Sequence, residues 1–326
     1  RLCSEMTDGV LPDPRLHAYR DDLADARLIG IVSAPRYVAG EPRQVTAPVM
    51  SVRAKPRPDA SLHTQALLGE TLHAFDEADG WAWVQLDQDG YVGYVPSKDI
   101  SAAIRSATHR VSALRTYIYP AKNIKLPPLS LLSMNSRIAL SACSDDGRFL
   151  AVDSGGFIVA DHVRSLDQLD QDYVSTAAAF SGTPYLWGGR TSIGIDCSGL
   201  VQLALEAAGI PCPRDAEMQR SKVGLELPDG ALMTRGDLVF HPLPDPLHDL
   251  RESVKSAVQW FFHLLRVQLR ALAELVERFR VGKCGKVLHR SAVYHLGHSE
   301  FHDFPAPRAR DVGDLENARR DMPGRC

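Results

Sequence analysis

The sequence lacks a long uncharged apolar run, an excess of one charge and any repeated close spacing of cysteines, and each lack removes a class of protein. Across 326 residues, 37 Lys and Arg face 40 Asp and Glu, a formal net charge of −3. So small a balance carries no electrostatic footprint for nucleic acid. The six cysteines, at 3, 143, 197, 212, 284 and 326, form neither a disulfide framework nor a zinc ribbon. The opening Arg1-Leu2-Cys3-Ser4-Glu5 has no basic stretch followed by an apolar one, and Pro12 and Pro14 soon interrupt the chain. With no export signal visible and no membrane span, a reducing cytoplasm is the expected location.

What is present is ordinary globular composition, 44% hydrophobic and 24% charged, over a length that suits two or three domains. After an N-terminal segment at 1–45, residues 46–100 read as short strands broken by Gly, Asp and Pro: 49–53, 65–68, 71–75, 81–86 and 90–96. Runs of that length favour a small closed β-barrel over a helical domain. A looser second copy spans 108–166, opening with Arg115–Tyr119 and closing with 147–152 and 155–159. From 167 to 240 the pattern changes. An Ala-rich, helix-compatible stretch, 174–180, ends in Ser181-Gly182-Thr183-Pro184, and the glycine pair 188–189 allows a close backbone approach.

Gly194-Ile195-Asp196-Cys197-Ser198-Gly199 then leads into an apolar-faced helix of about ten residues, with Leu200, Ala204, Ala207 and Ala208 on one side and Gly209 after it. Cys197 therefore falls at a helix N-terminus. Unpaired N–H groups and the macrodipole there favour a thiolate, and the same groups can receive the oxyanion of acyl transfer. The alternative for an isolated cysteine at that position is a structural thiol.

Four motifs in order, 182–189, 196–201, 213–215 and 235–240, resemble the NlpC-type, papain-like cysteine peptidases that cut bacterial cell-wall peptides. The Val-Arg start, Gly-Glu turn, Gly-Trp-Ala-Trp-Val strand and closing Gly-Tyr-Val of 46–100 resemble a bacterial Src-homology-3-like barrel. Together they imply an α+β chain, and members with such barrels and no export signal resemble enzymes that cleave the γ-D-glutamyl bond to a diamino acid. The resemblance implies Cys197 as nucleophile, with Tyr185, Asp196 and Ser198 lining the cleft. Asp196 either holds the ammonium of a peptide N-terminus or caps the helix. An aromatic residue of the first barrel, Tyr91 or Tyr94, helps close the cleft in that group, and packing in the barrel is the other use for each. The implied partner is a murein peptide such as L-Ala-γ-D-Glu-diamino acid, without metal or organic cofactor.

The base is where the match weakens, because a cysteine peptidase needs an imidazole to move the proton. The family pattern opens a strand with His soon after the Gly-Asp-Leu-Val-Phe strand, whereas this chain continues His241-Pro242-Leu243-Pro244-Asp245-Pro246-Leu247-His248. Three prolines in five residues cannot form a central strand. His241 and His248 have the approximate spacing, and His248 is taken as the base. Residues 254–281 read as one amphipathic helix for packing or a partner, 295, 298 and 302 place histidines at metal-like spacing without other support for a metal, and 305–326 reads as a polar tail. Residues 241–326 thus form an atypical tail, expected from a frame change at Phe240 or from an insertion with the base supplied by His289 or His295. The competing function is a non-catalytic murein-peptide binder or an inactive, truncated enzyme.

Overall fold

The computed structural model describes residues 11–143, 147–228, 231–240 and 292–295. Its architecture is α+β, two curled β units followed by a mixed domain with, among the described residues, three short α-helices. In the first unit, Val49–Arg53 alternates, turning Met50 and Val52 inward, as a strand half-covered by a core requires. The unit's seven strands order as 100–101, 41–45, 71–78, 81–86, 92–96, 49–53 and 62–67, and they curl around Met50, Val52, Leu72, Val84 and Val95. A 3-10 turn at Ser97–Asp99 returns Ile100–Ser101 to pair with Val45 and Gln44.

Residues 109–165 repeat that succession. Their strands close on Val111, Ile118, Leu132, Ile138 and Ile158, and a 3-10 turn at Ala160–His162 returns Val163–Ser165 to pair with His109–Val111. The N-terminal segment is also ordered against the first unit. Its short strands Tyr19–Arg20, Leu23–Asp25 and Tyr37–Val38 place Ala18 and Leu23 over Phe75, Trp83 and Val92 on the outer side of the first sheet.

In the third unit, helix α1 (Tyr173–Ala179) is capped by Asp172, which accepts from the Val174 and Ser175 N–H groups at 3.1 and 3.2 Å. Helix α2 (Cys197–Ala207) is the hub of the molecule, since Leu200 and Leu203 pack with Leu67 of the first unit, Met134 of the second and Phe180 after α1. Polar ties fix the same seat. Asn135 of the second unit donates to the Leu203 carbonyl at 2.9 Å, and the fully buried Arg190 pairs with Glu70 of the first unit at 3.1 Å and Glu206 of α2 at 2.9 Å. Helix α3 (Ala216–Lys222) follows, its Met218 and Gln219 buried.

Residues beyond Phe240 rejoin this domain. Ala292–His295 forms a strand antiparallel to Leu238–Phe240 on one side and Leu225–Glu226 on the other. Residues 292–295, placed in the tail by the sequence reading, thus pair with strands of the third unit. The amphipathic helix expected at 254–281, His241, His248, His289, His298, His302 and the polar tail lie outside the described residues. Among the described residues no helix is long and apolar enough to cross a membrane, and no group of three or more metal-ligating side chains is present.

Candidate active site

Cys197 is the first residue of α2, as the sequence predicts. Asp196 adopts extended backbone before it and caps the helix, its Oδ1 accepting from the Gly199 N–H at 2.7 Å. The close glycine approach is realised just ahead of this turn. Gly188 has φ +74°, and a Cβ there would lie 2.8 Å from Leu62 Cγ and 3.1 Å from its carbonyl, while one on Gly189 would meet the Gly194 carbonyl at 2.5 Å. A larger residue at 188 would push the nucleophile turn off the first barrel.

The Asp196 carboxylate has more to hold than the helix. Its Oδ2 accepts from the Gly188 N–H at 2.8 Å, and Arg214 grips both oxygens, Nη1 to Oδ1 at 3.0 Å and Nη2 to Oδ2 at 2.7 Å. Arg214 also donates to Ser198 Oγ at 2.8 Å and to Thr64 Oγ1 of the first barrel at 2.7 Å. Asp196, Ser198 and Arg214 are all buried. The two residues flanking the nucleophile are therefore locked by one guanidinium, a bidentate, charge-assisted arrangement. The cap role of Asp196 is the one seen in this geometry, and an incoming ammonium would have to share the carboxylate with Arg214.

Cys197 itself is exposed at the surface and free, yet its thiol is crowded enough that burial pushes its pKa above the ordinary range, with the Asp196 charge adding to the rise. The N–H groups of Ser198 and Cys197, and Arg214, pull the other way and do not prevail. Burial and the Asp196 charge thus oppose the helix N-terminus at this sulfur. A cationic partner is needed, and no described imidazole hydrogen-bonds this sulfur. Tyr185 is half-buried close by, and burial together with the Cys197 and Asp196 charges lifts its phenol to about 12, so it stays a neutral donor.

The two barrel tyrosines part company. Tyr91 reaches the third unit, its hydroxyl donating to Asp215 Oδ2 at 3.1 Å beside Arg214, with its ring edge-on to His63 at 5.9 Å. Arg15 of the N-terminal segment donates to the same Asp215 oxygen at 2.8 Å and also pairs with Asp13 and Glu217. Burial raises the Asp215 pKa, and the Tyr91 hydrogen bond opposes it. Tyr94 instead sits on the outer side of the barrel, where its hydroxyl accepts from Arg20 at 3.4 Å. It is not brought to Cys197. Sequence reasoning missed Arg214, Asp215 and Arg15. The available signal for the first two was the Pro213-Arg214-Asp215 motif itself, since a buried Asp beside the nucleophile requires a cation.

Comparison with known proteins gives matches to two segments of the chain. Residues 52–100 match the bacterial dipeptidyl-peptidase SH3 domain, and residues 182–248 match the NlpC/P60 family. The chain is 29% identical over 203 residues to a γ-D-glutamyl-L-lysine dipeptidyl-peptidase of Bacillus cereus, covering 55% of this chain and 60% of that one. It is likewise 29% identical over 198 residues to the protein of the same name from Bacillus subtilis, covering 56% and 64%. The chain thus spans less than two thirds of the length of these relatives. The crystal structure of an NlpC/P60 family protein from Bacillus cereus superposes with a TM-score of 0.50 at 22% identity, over 61% of this chain and 82% of that one, which supports the fold. Two segments of the chain thus match known family models in the order the sequence suggests, residues 52–100 the bacterial dipeptidyl-peptidase SH3 domain and residues 182–248 NlpC/P60.

Proposed function

We propose that this chain is a cysteine-type hydrolase of peptidoglycan-derived peptides, cutting between γ-D-glutamate and the following diamino acid. The observation that carries the proposal is Cys197 at the first turn of α2, flanked by Asp196 and Ser198 under one buried Arg214. The Cys197 thiolate attacks the γ-carbonyl carbon, and first-turn N–H groups receive the oxyanion. The C–N bond then breaks, its electrons leaving on the diamino-acid nitrogen, which takes a proton from an imidazole. Water opens the thioester and returns the thiol. The imidazole is drawn from the residues after Phe240, His248 or a histidine near the rejoining strand such as His289 or His295. Tyr185, Ser198 and Tyr91 line the approach, Asp196 and Asp215 offer carboxylates to a peptide ammonium, and no cofactor enters the scheme. A cytoplasmic setting is part of the proposal and accords with the free thiols Cys197 and Cys212.

One observation favours a second reading, a murein-peptide binder without turnover: the raised thiol pKa, with no described imidazole bonded to it. Incubation with L-Ala-γ-D-Glu-diaminopimelate separates the two. Release of L-Ala-D-Glu by the wild type, lost in Cys197→Ala, supports the hydrolase. Binding without release, equal in both proteins, overturns it.

A further inference from the structure

The outer side of the first barrel carries a second polar and aromatic concavity, of about 450 Å³, within the size range of ligand pockets. None of its lining residues comes from the third unit, and it lies on the far side of the sheet from Tyr91. One half of it already shows what it recognises. The Arg20 guanidinium lies 4.7 Å from the Trp83 ring centre, donates to Asp22 at 2.6 Å, pairs with Asp76 and reaches the Tyr94 hydroxyl. An indole face with carboxylates at its rim is a cation site by quadrupole and charge together.

The other half repeats those parts. Trp81, half-buried, lies two residues before Trp83 on the same strand, and Asp21 and Asp79 line the cavity with it. No hydrogen bond or ion pair from another described side chain reaches Asp21 or Asp79. Asp79 is moreover held with φ +52°, a left-handed conformation that fixes the tight turn into Trp81. A second guanidinium, Arg36, lies 3.8 Å from Asp76, so the four carboxylates of Asp21, Asp22, Asp76 and Asp79 face Arg20 and Arg36 only, and a deficit of positive charge remains beside a partly open indole.

We propose that this concavity binds a cationic side chain, the ammonium or guanidinium of a basic residue in a peptide, with Trp81 as its platform and Asp21 and Asp79 as its charge partners. The site is separate from Cys197 and does not depend on what that cysteine does. The test uses the full chain with Trp187 and Trp260 replaced by Phe, so that indole N–H resonances report only Trp81 and Trp83. Nα-acetyl-lysine methylamide should shift the Trp81 resonance saturably, and Nα-acetyl-norleucine methylamide, of similar length without the charge, should not. Asp21→Asn with Asp79→Asn should weaken the lysine response at least tenfold while leaving the thermal midpoint in place, and Cys197→Ala should leave the response unchanged. Equal response to norleucine, an undiminished response in the double variant, or no saturable shift each overturns the proposal.

Discussion

Arg214 holds Asp196 by both carboxylate oxygens, at 3.0 and 2.7 Å, and in doing so fixes the residue immediately before the nucleophile. Both partners are buried, so removing one leaves a charge without water or counter-ion. Arg214→Met should cost about 3–5 kcal/mol of stability, the range for a broken buried pair. Pairing it with Asp196→Asn should recover part of the loss, because the uncompensated carboxylate is then gone. Thermal melts of the two single variants and the double variant measure this coupling. Additive losses would show that the pair does not act as a unit.

The thiol at 197 is the second measurable quantity. Burial and Asp196 raise its pKa, so the thiolate in an Asp196→Asn variant should form at lower pH than in the wild type. The rate of alkylation by iodoacetamide, followed from pH 6 to 10 in a chain with the other five cysteines replaced by Ala, gives the titration of Cys197 directly. Cys212 would otherwise contribute only at high pH, since burial pushes its thiol up to about 12. A wild-type thiol titrating well below the ordinary cysteine range would instead show that an imidazolium from the residues after Phe240 already sits beside it.

Much of this site could be read before any coordinates, and the rest could not, for a physical reason. Cys197 and the helix behind it follow from local signals, a capping Asp196, apolar spacing at 200, 204, 207 and 208, and a terminal Gly209 with φ +77°. The strands of 46–100 follow from period-two alternation and turn residues. Arg214, Arg15 and Arg190 act across 18, 200 and 120 residues of sequence, and nothing local distinguishes them from solvated arginines. The N-terminal segment escaped for the same reason. Its charged run Arg20-Asp21-Asp22 reads as solvent-facing until Trp83 and Asp76 are placed beneath it. The same held for Tyr91 and Tyr94, equivalent by composition and separated only by which side of the sheet each one faces.

Close packing at the nucleophile turn supplies a third prediction. A Cβ on Gly199 would lie 2.4 Å from the Gly189 carbonyl and 2.9 Å from Asp196 Oδ1, inside the distances backbone atoms tolerate. Gly199→Ala must therefore move either the cap or the glycine pair. Turnover of the murein tripeptide should fall by at least tenfold, and the melting midpoint should drop by a few degrees, as for about 1–3 kcal/mol of overpacking. An Ala variant with full activity would mean that the turn relaxes freely.

The buried cluster under α2 sets the pH dependence of stability. Glu206 lies beside Arg190, but burial, with the neighbouring charges of Glu70 and Asp89, outweighs that attraction and lifts its pKa from 4.5 to about 7. Its Oε1 and the Gln202 Oε1, one helical turn apart, have no hydrogen-bond partner among the described residues, so the ionised form leaves acceptors unsatisfied. The sign follows from the proton count. Between pH 4.5 and 7 the folded chain holds a proton that the unfolded chain has lost, so this contribution to stability falls as pH rises and is fully spent above 7. At 1.36 kcal/mol per unit the full effect is about 3 kcal/mol. Glu206→Gln removes the titrating group while keeping a polar partner for Arg190. The midpoint difference, wild type minus variant, should therefore shrink or reverse between pH 5 and pH 8, and a difference that stays constant over that interval would place the proton elsewhere in the cluster.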